Sequence, residues 1–221
     1  MKILSLAINL LWAATLCVTE AAASVTPIGE GAFPGSALLV DFAGLLDGTE
    51  VNGLVVDGLT FSYSLGDGQL TIDGGPGTTN NINPPNIVSI GDDSGEVTIA
   101  LPSAATMFGY GYAILSLGDV AAATTMSVFS GPTFLGSLSF DGASDPNFSG
   151  GFAGLASTSA FDRVVVSFNS AAAIAFAMDN ILVTSEVVPP VVPEPPTLLL
   201  ILASLLAALW IRAPRTQPAK F

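Results

Sequence analysis

Between Ser24 and about Glu186 the apolar residues come in short runs, several alternating strictly with polar ones, and glycine and aspartate punctuate them. Alternation is clearest in "LTFSYSL" and "LGSLSF". A period of two puts successive side chains on opposite faces of a strand, so such runs predict half-buried strands. The strands expected are Ala37 to Phe42, Leu59 to Leu65, Gln69 to Ile72, Asn86 to Ile90, Glu96 to Leu101 and Met107 to Leu115. Further along they are Thr125 to Ser130, Phe134 to Phe140, Phe152 to Leu155, Arg163 to Phe168, and Ala173 to Thr184 with a break at Asp179. Asp47-Gly48, Asp57-Gly58, Gly66-Asp67-Gly68, Asp73-Gly74-Gly75 and Asp141-Gly142 read as turns, where glycine supplies positive φ and aspartate caps the backbone. Only the alanines after Val120 hint at a helical period. The fold expected is all-β, an antiparallel β-sandwich.

The two ends follow other rules. Residues 1–23, "MKILSLAINLLWAATLCVTEAAA", combine Lys2, an apolar stretch from Ile3 to Val18 and the small-residue site Ala21-Ala22-Ala23. That order is a signal peptide cut after Ala23, with an uncleaved anchor as the alternative. Leu16 before Cys17 makes lipidation at the cysteine the weaker reading. Residues 187–196, "VVPPVVPEPP", are too rich in proline for a helix and predict an extended stalk. Residues 197–211 carry no charge; at ~1.5 Å rise per residue they give roughly 22 Å of helix, short of a ~30 Å hydrocarbon core but able to span if flanking residues snorkel. The tail, 212–221, holds Arg212, Arg215 and Lys220 with no acid, which by the positive-inside rule leaves the C-terminus in the cytoplasm and the domain outside.

Val192-Pro193-Glu194-Pro195, then a short apolar helix, then a basic tail, resembles the PEP-CTERM sorting signal of bacterial exosortase substrates. The sorting motif is Pro193, Glu194 and Pro195, with the basic tail beginning at Arg212; here that tail is longer and sparser than a compact arginine cluster. The resemblance covers about the last 30 residues. It implies recognition by a membrane-embedded exosortase, cleavage near the motif, and transfer to the cell surface or exopolysaccharide matrix, with this chain as substrate.

Charge sharpens the picture. Of five basic residues, only Arg163 lies between the targeting segments, so the central domain is strongly acidic. A domain without cations to neutralise phosphates, and with a surface that repels them, does not bind nucleic acid. The one cysteine lies in the signal segment, so the domain has neither disulfide nor thiol nucleophile. Histidine is absent, which removes Ser-His-Asp and Cys-His catalysis and nearly all protein zinc sites.

Carboxylates are what remains. Calcium takes six to eight hard oxygen ligands and is the candidate cofactor, with Asp92, Asp93 and Glu96 of "GDDSGE" as the densest cluster, though the full EF-hand pattern is missing. Asp41 and Asp179 stand inside strand-like runs, where a carboxylate needs a partner. For Asp179 the alternatives are a contact to Arg163, the capping of a bulge, or a metal. Tyr110 and Tyr112 in "FGYGYA" fall on one strand face, to be packed in the core or presented to a sugar. A glycosidase needs two convergent carboxylates, and no pair can be selected.

The segments "FAGLLDGTEVNGLVVDGLTFS", "LPSAATMFGYGYAI", "GFAGLASTSAFDRVVVSF" and "IAFAMDNILV" resemble the jelly-roll-like ectodomains that precede PEP-CTERM signals and are similar in look to carbohydrate-binding modules. The resemblance implies a jelly-roll-like sandwich. The function expected is a non-catalytic, exported surface or extracellular-matrix protein. The alternative is a calcium-dependent carbohydrate-binding module attaching to exopolysaccharide.

Overall fold

The computed structural model describes residues 23–89, 93–145, 147–172 and 174–184. The expected signal segment before Ala23, the stalk, the membrane helix and the basic tail lie outside them. Among the described residues no helix is long and apolar enough to cross a membrane.

Among the described residues eleven strands pair antiparallel throughout: β1 Val25–Pro27, β2 Leu38–Val40, β3 Val55–Val56, β4 Leu59–Tyr63, β5 Leu70–Asp73, β6 Asn86–Ser89, β7 Glu96–Ile114, β8 Val120–Ser130, β9 Thr133–Asp145, β10 Phe148–Phe168 and β11 Phe176–Thr184. The one helical piece described is a 3-10 turn at Glu30–Ala32. The fold is all-β and sandwich-like, and its main path runs β5-β6-β11-β7-β10-β8-β9.

Two strands are much longer than expected. Glu96 to Leu101 and Met107 to Leu115 fuse into β7, and Phe152 to Leu155 and Arg163 to Phe168 fuse into β10. The alternation is interrupted around Pro102 and around Ser159, which on a sequence reads as two strands with a loop. In the structure the chain stays extended through those points and slips register between Ala156, Phe161 and Arg163. The first half of β7 pairs with β4 and the second half with β11, so the same strand serves both layers. The alanines after Val120 are extended in β8, correcting the hint of a helix: cross-strand pairing with β9 and β10 overrides alanine's helix propensity, and Ala122 takes a left-handed φ of 48° at the irregularity between Val120 and Thr124.

The interior follows the period of two. In one layer Phe61, Val97, Ile99, Val128, Val164 and Val166 point inward; from the other come Ile72, Ile87, Phe108, Tyr110, Tyr112, Ile114, Phe176 and Met178. Phe168 stacks on Phe176 with ring centroids 3.9 Å apart, and Tyr63 meets Phe176 edge-on at 6.4 Å. Tyr110 and Tyr112 are buried, so the core reading of these residues holds and neither is presented to a sugar.

Candidate functional site

Where Phe108, Tyr110, Tyr112 and Ile114 face the core, Gly109, Gly111 and Ala113 between them face outward. A strand with no side chain on one face lets another backbone lie against it. Two segments do so. The Ile28 carbonyl oxygen sits 2.5 Å from where a Cβ on Gly154 would be, and the Asn81 carbonyl oxygen 1.9 Å from that of Gly111. Phe33 meets Phe152 edge-on at 5.9 Å beside them.

The segment 74–85, "GGPGTTNNINPP", is pinned to this face by side chains rather than by strand pairing. Asp145 Oδ2 accepts from Thr79 Oγ1 at 3.0 Å and from Asn80 N–H at 3.2 Å. Asp179 Oδ2 accepts from Asn83 N–H at 2.8 Å. Asn180 Nδ2 donates to the Asn81 carbonyl at 3.0 Å, and Asn86 Nδ2 to the Gly75 carbonyl at 2.7 Å.

Asp179 explains its own place in an apolar strand. It sits at a bulge, since β11 slips register against β7 between Asp179 and Leu182, and Asn180 takes a left-handed φ of 48° there. The expected break at Asp179 is this bulge, and the carboxyl holds the covering segment across it. Of the alternatives for Asp179, the contact with Arg163 is not made. Arg163 lies over the Phe129 ring at 4.0 Å and donates to the Gly131 carbonyl at 3.3 Å, away from the strand that carries Asp179. Burial pushes the Asp179 carboxyl up from 3.8 to about 7, with the backbone N–H groups of Asn83 and Asn180 acting against the shift and the charge of Asp41 adding to it.

The transverse row through Asp179 is polar at its centre. Register sets Ala177 opposite Val88 and Met178 opposite Ile87, and Asp179 and Asn86 are the next residues along the two strands. Asn86 is in turn opposite Asp73, and Asp179 opposite Gly111. Direct partners in an antiparallel pair share a face, and Asp179 and Asn86 each alternate with a core residue, Met178 and Ile87, so Asp73, Asn86 and Asp179 lie on the face away from the core. Asn86 and Asp179 are 0% exposed, and one oxygen of each, Oδ1, has no hydrogen-bond partner.

Beside this line the face is apolar. A pocket of ≈ 190 Å³ is lined by Pro76, Val88, Ala113, Leu115, Phe148 and Ala177, among others, with almost no polar surface.

The cluster expected from sequence is only partly described. Glu96 is exposed at the start of β7, its N–H donating to Ser64 Oγ at 2.8 Å; Asp93 lies just before it, and Asp92 falls outside the described residues. Among the described residues no three Asp, Glu, His or Cys side chains converge as a metal cluster. Many of the acids accept backbone N–H groups at turns: Asp162 from Gly131, Asp119 from Ser144, Asp141 from Ala122, Asp41 from Ala43. Asn86 and its unsatisfied oxygen had no signal in the sequence, because its strand reads as an ordinary apolar run.

No protein-family model matches the chain, and no curated protein matches it. Among solved structures it is similar to a variant of CBM29-2, a family 29 carbohydrate-binding module, at 11% identity and TM-score 0.33, covering 78% of this chain and 99% of that one. Another family 29 carbohydrate-binding module aligns at 9% identity and TM-score 0.33, covering 79% and 99%. A GH26-CBM35 β-(1,4)-mannanase of Podospora anserina aligns at 16% identity and TM-score 0.31, covering 80% of this chain and 29% of that one. Superpositions this loose bear on neither the fold nor the ligand.

Proposed function

We propose that this chain is a non-catalytic, exported surface or extracellular-matrix protein, sorted and processed through its C-terminal PEP-CTERM signal. The observation that carries the reading is where the folded domain sits relative to the targeting segments. Its first strand opens at Val25, two residues after Ala23, and Ser24 N–H already bonds Thr158 Oγ1 at 3.0 Å. Its last strand closes at Thr184, just before the proline-rich stretch at 187–196. Signal cleavage after Ala23 and sorting cleavage near Pro193, Glu194 and Pro195 would both leave every described strand intact. The non-sequential neighbours β11, β7, β10 and β8 suit a jelly-roll-like sandwich. Exosortase is the processing partner in this reading, and the bilayer is engaged through residues 197–211 until cleavage.

The use of the acids as turn acceptors supports a domain without hydrolytic chemistry. Replacing Pro193, Glu194 and Pro195 together by alanine tests the sorting claim in the native cells: the full-length chain should then accumulate in the membrane fraction. An unchanged distribution between membrane, surface and medium would remove the claim.

The second reading, calcium-dependent attachment to exopolysaccharide, is favoured by the unpaired buried oxygens of Asn86 and Asp179. Saturable exopolysaccharide binding that is abolished by EDTA would favour it over a purely structural role.

A further inference from the structure

We propose that Asp179 and Asn86, with Asp73 beside them, hold a hard divalent cation of the calcium class beneath the segment 74–85. The site differs from the acidic turn at Asp92, Asp93 and Glu96 and stands whether or not the chain is sorted as proposed.

The fold leaves two buried oxygens unpaired. Buried polar atoms almost always find a partner, because an unpaired one loses its water without compensation. Here two such atoms, Asp179 Oδ1 and Asn86 Oδ1, belong to residues that each adjoin the last β11–β6 pair, Met178 and Ile87, and neither residue is exposed. The Asn86 amide is oriented by its nitrogen, which donates to the Gly75 carbonyl at 2.7 Å and the Ile87 carbonyl at 3.2 Å. Its oxygen is therefore turned to the other side as an acceptor. Both unpaired atoms are acceptors, so neither can satisfy the other without a third party.

A water molecule could donate to both, but it would not balance the charge. The only basic side chain among the described residues is Arg163, engaged at Phe129 and Gly131. Asp41, one residue past the partner of Ile181, adds negative charge near Asp179, and Asp73 adds a second carboxylate to the row. A proton on Asp179 would satisfy the pair, yet the patch offers more oxygen than one proton can use. The Gly75 and Asn81 carbonyls each accept one amide hydrogen bond there and each keep a lone pair. Carboxylate, amide carbonyl and backbone carbonyl are the donor set that calcium takes. A cation there would also fix the segment 74–85, which no strand pairing holds to the sheet.

The test uses the full-length protein purified in mild detergent, stripped with EDTA and titrated with calcium chloride, with magnesium chloride as comparison. Binding is read by calorimetry and by the thermal unfolding midpoint, since a ligand of the native state alone raises stability with its free concentration. Wild type should bind calcium and unfold at higher temperature with it. Asp179→Asn should abolish both effects, and Asp73→Asn, a milder change, should weaken binding about tenfold. Glu96→Gln should leave both intact. A calcium response lost in Glu96→Gln and kept in Asp179→Asn would overturn the proposal in favour of the acidic turn. No calcium response in wild type, together with a protonated-carboxyl infrared band that Asp179→Asn removes, would overturn it in favour of a proton shared with Asn86.

Discussion

The backbone carbonyl oxygen of Asn81 occupies the place that a side chain on Gly111 would need, 1.9 Å from its Cβ position. Gly111 is therefore the point at which the segment 74–85 rests on the sheet. Gly111→Ala must push a backbone atom aside, and overpacking of this kind costs at least ~2 kcal/mol. The variant should unfold at lower temperature, and limited proteolysis should cut between residues 74 and 85 before anywhere else in the domain. Cleavage no faster than in wild type would show that the segment does not depend on this contact.

Asp145 gives a milder version of the same effect. Its Oδ2 accepts from both Thr79 Oγ1 and Asn80 N–H in the middle of the segment, next to Asn81. Asp145→Ala should cost roughly 1–3 kcal/mol and should increase amide hydrogen exchange at Asn80 while leaving β8 and β10 protected.

Tyr110 and Tyr112 make the domain sensitive to alkali. Burial pushes the Tyr110 phenol far up despite its 2.6 Å hydrogen bond with Thr124 Oγ1, and pushes Tyr112 up to about 12. In the unfolded chain both ionise near 10, so above that pH the unfolded state loses protons that the native state keeps. Stability is fully present below pH 10 and falls as pH rises through 12. Phenolate absorbance should lag behind a model tyrosine and then appear together with the loss of strand signal in circular dichroism. Tyr110→Phe should narrow the lag and cost about 1 kcal/mol at neutral pH.

Asp179 makes a prediction at the other end of the scale. With cations removed by EDTA, its carboxyl ionises at about 7 in the fold against 3.8 as the ordinary value, because of burial. The native state then holds a proton that the unfolded state has lost, so stability is greatest below about pH 4 for this group and declines as pH rises towards 7. Urea unfolding at pH 5 and pH 7.5 in EDTA should show the decline, and Asp179→Asn should flatten it. A flat wild-type profile would mean that the carboxyl is not desolvated.

Much of this fold was legible from periodicity alone. "LTFSYSL" alternates, and β4 buries Leu59, Phe61 and Tyr63 while exposing Thr60 and Ser62. The same rule placed Tyr110 and Tyr112 on one face, and the partners of that face made it the core. What the rule could not give was the meaning of the glycines between the tyrosines. Gly109 and Gly111 read as weak strand residues, and only the approach of Phe33 and Asn81 shows them to be contact surfaces. The fused β7 and β10 were hidden for a related reason: Pro102 ends an alternation but at a bend it does not end a strand. At the candidate site, Asp179 announced itself as a charge in an apolar run. Its partners did not, since Asn83 is three residues outside the nearest expected strand and Asn86 lies on the neighbouring strand β6 but 93 residues away in the chain.

The domain's location is the central claim, and intact mass with terminal peptide mapping of the protein from its native cells tests it most directly. Membrane, surface and medium fractions should be measured separately. The mature form should begin at Ser24 and end near Pro193 to Pro196, in the surface or medium fraction. A form that stays in the membrane and still ends at Phe221 would contradict it.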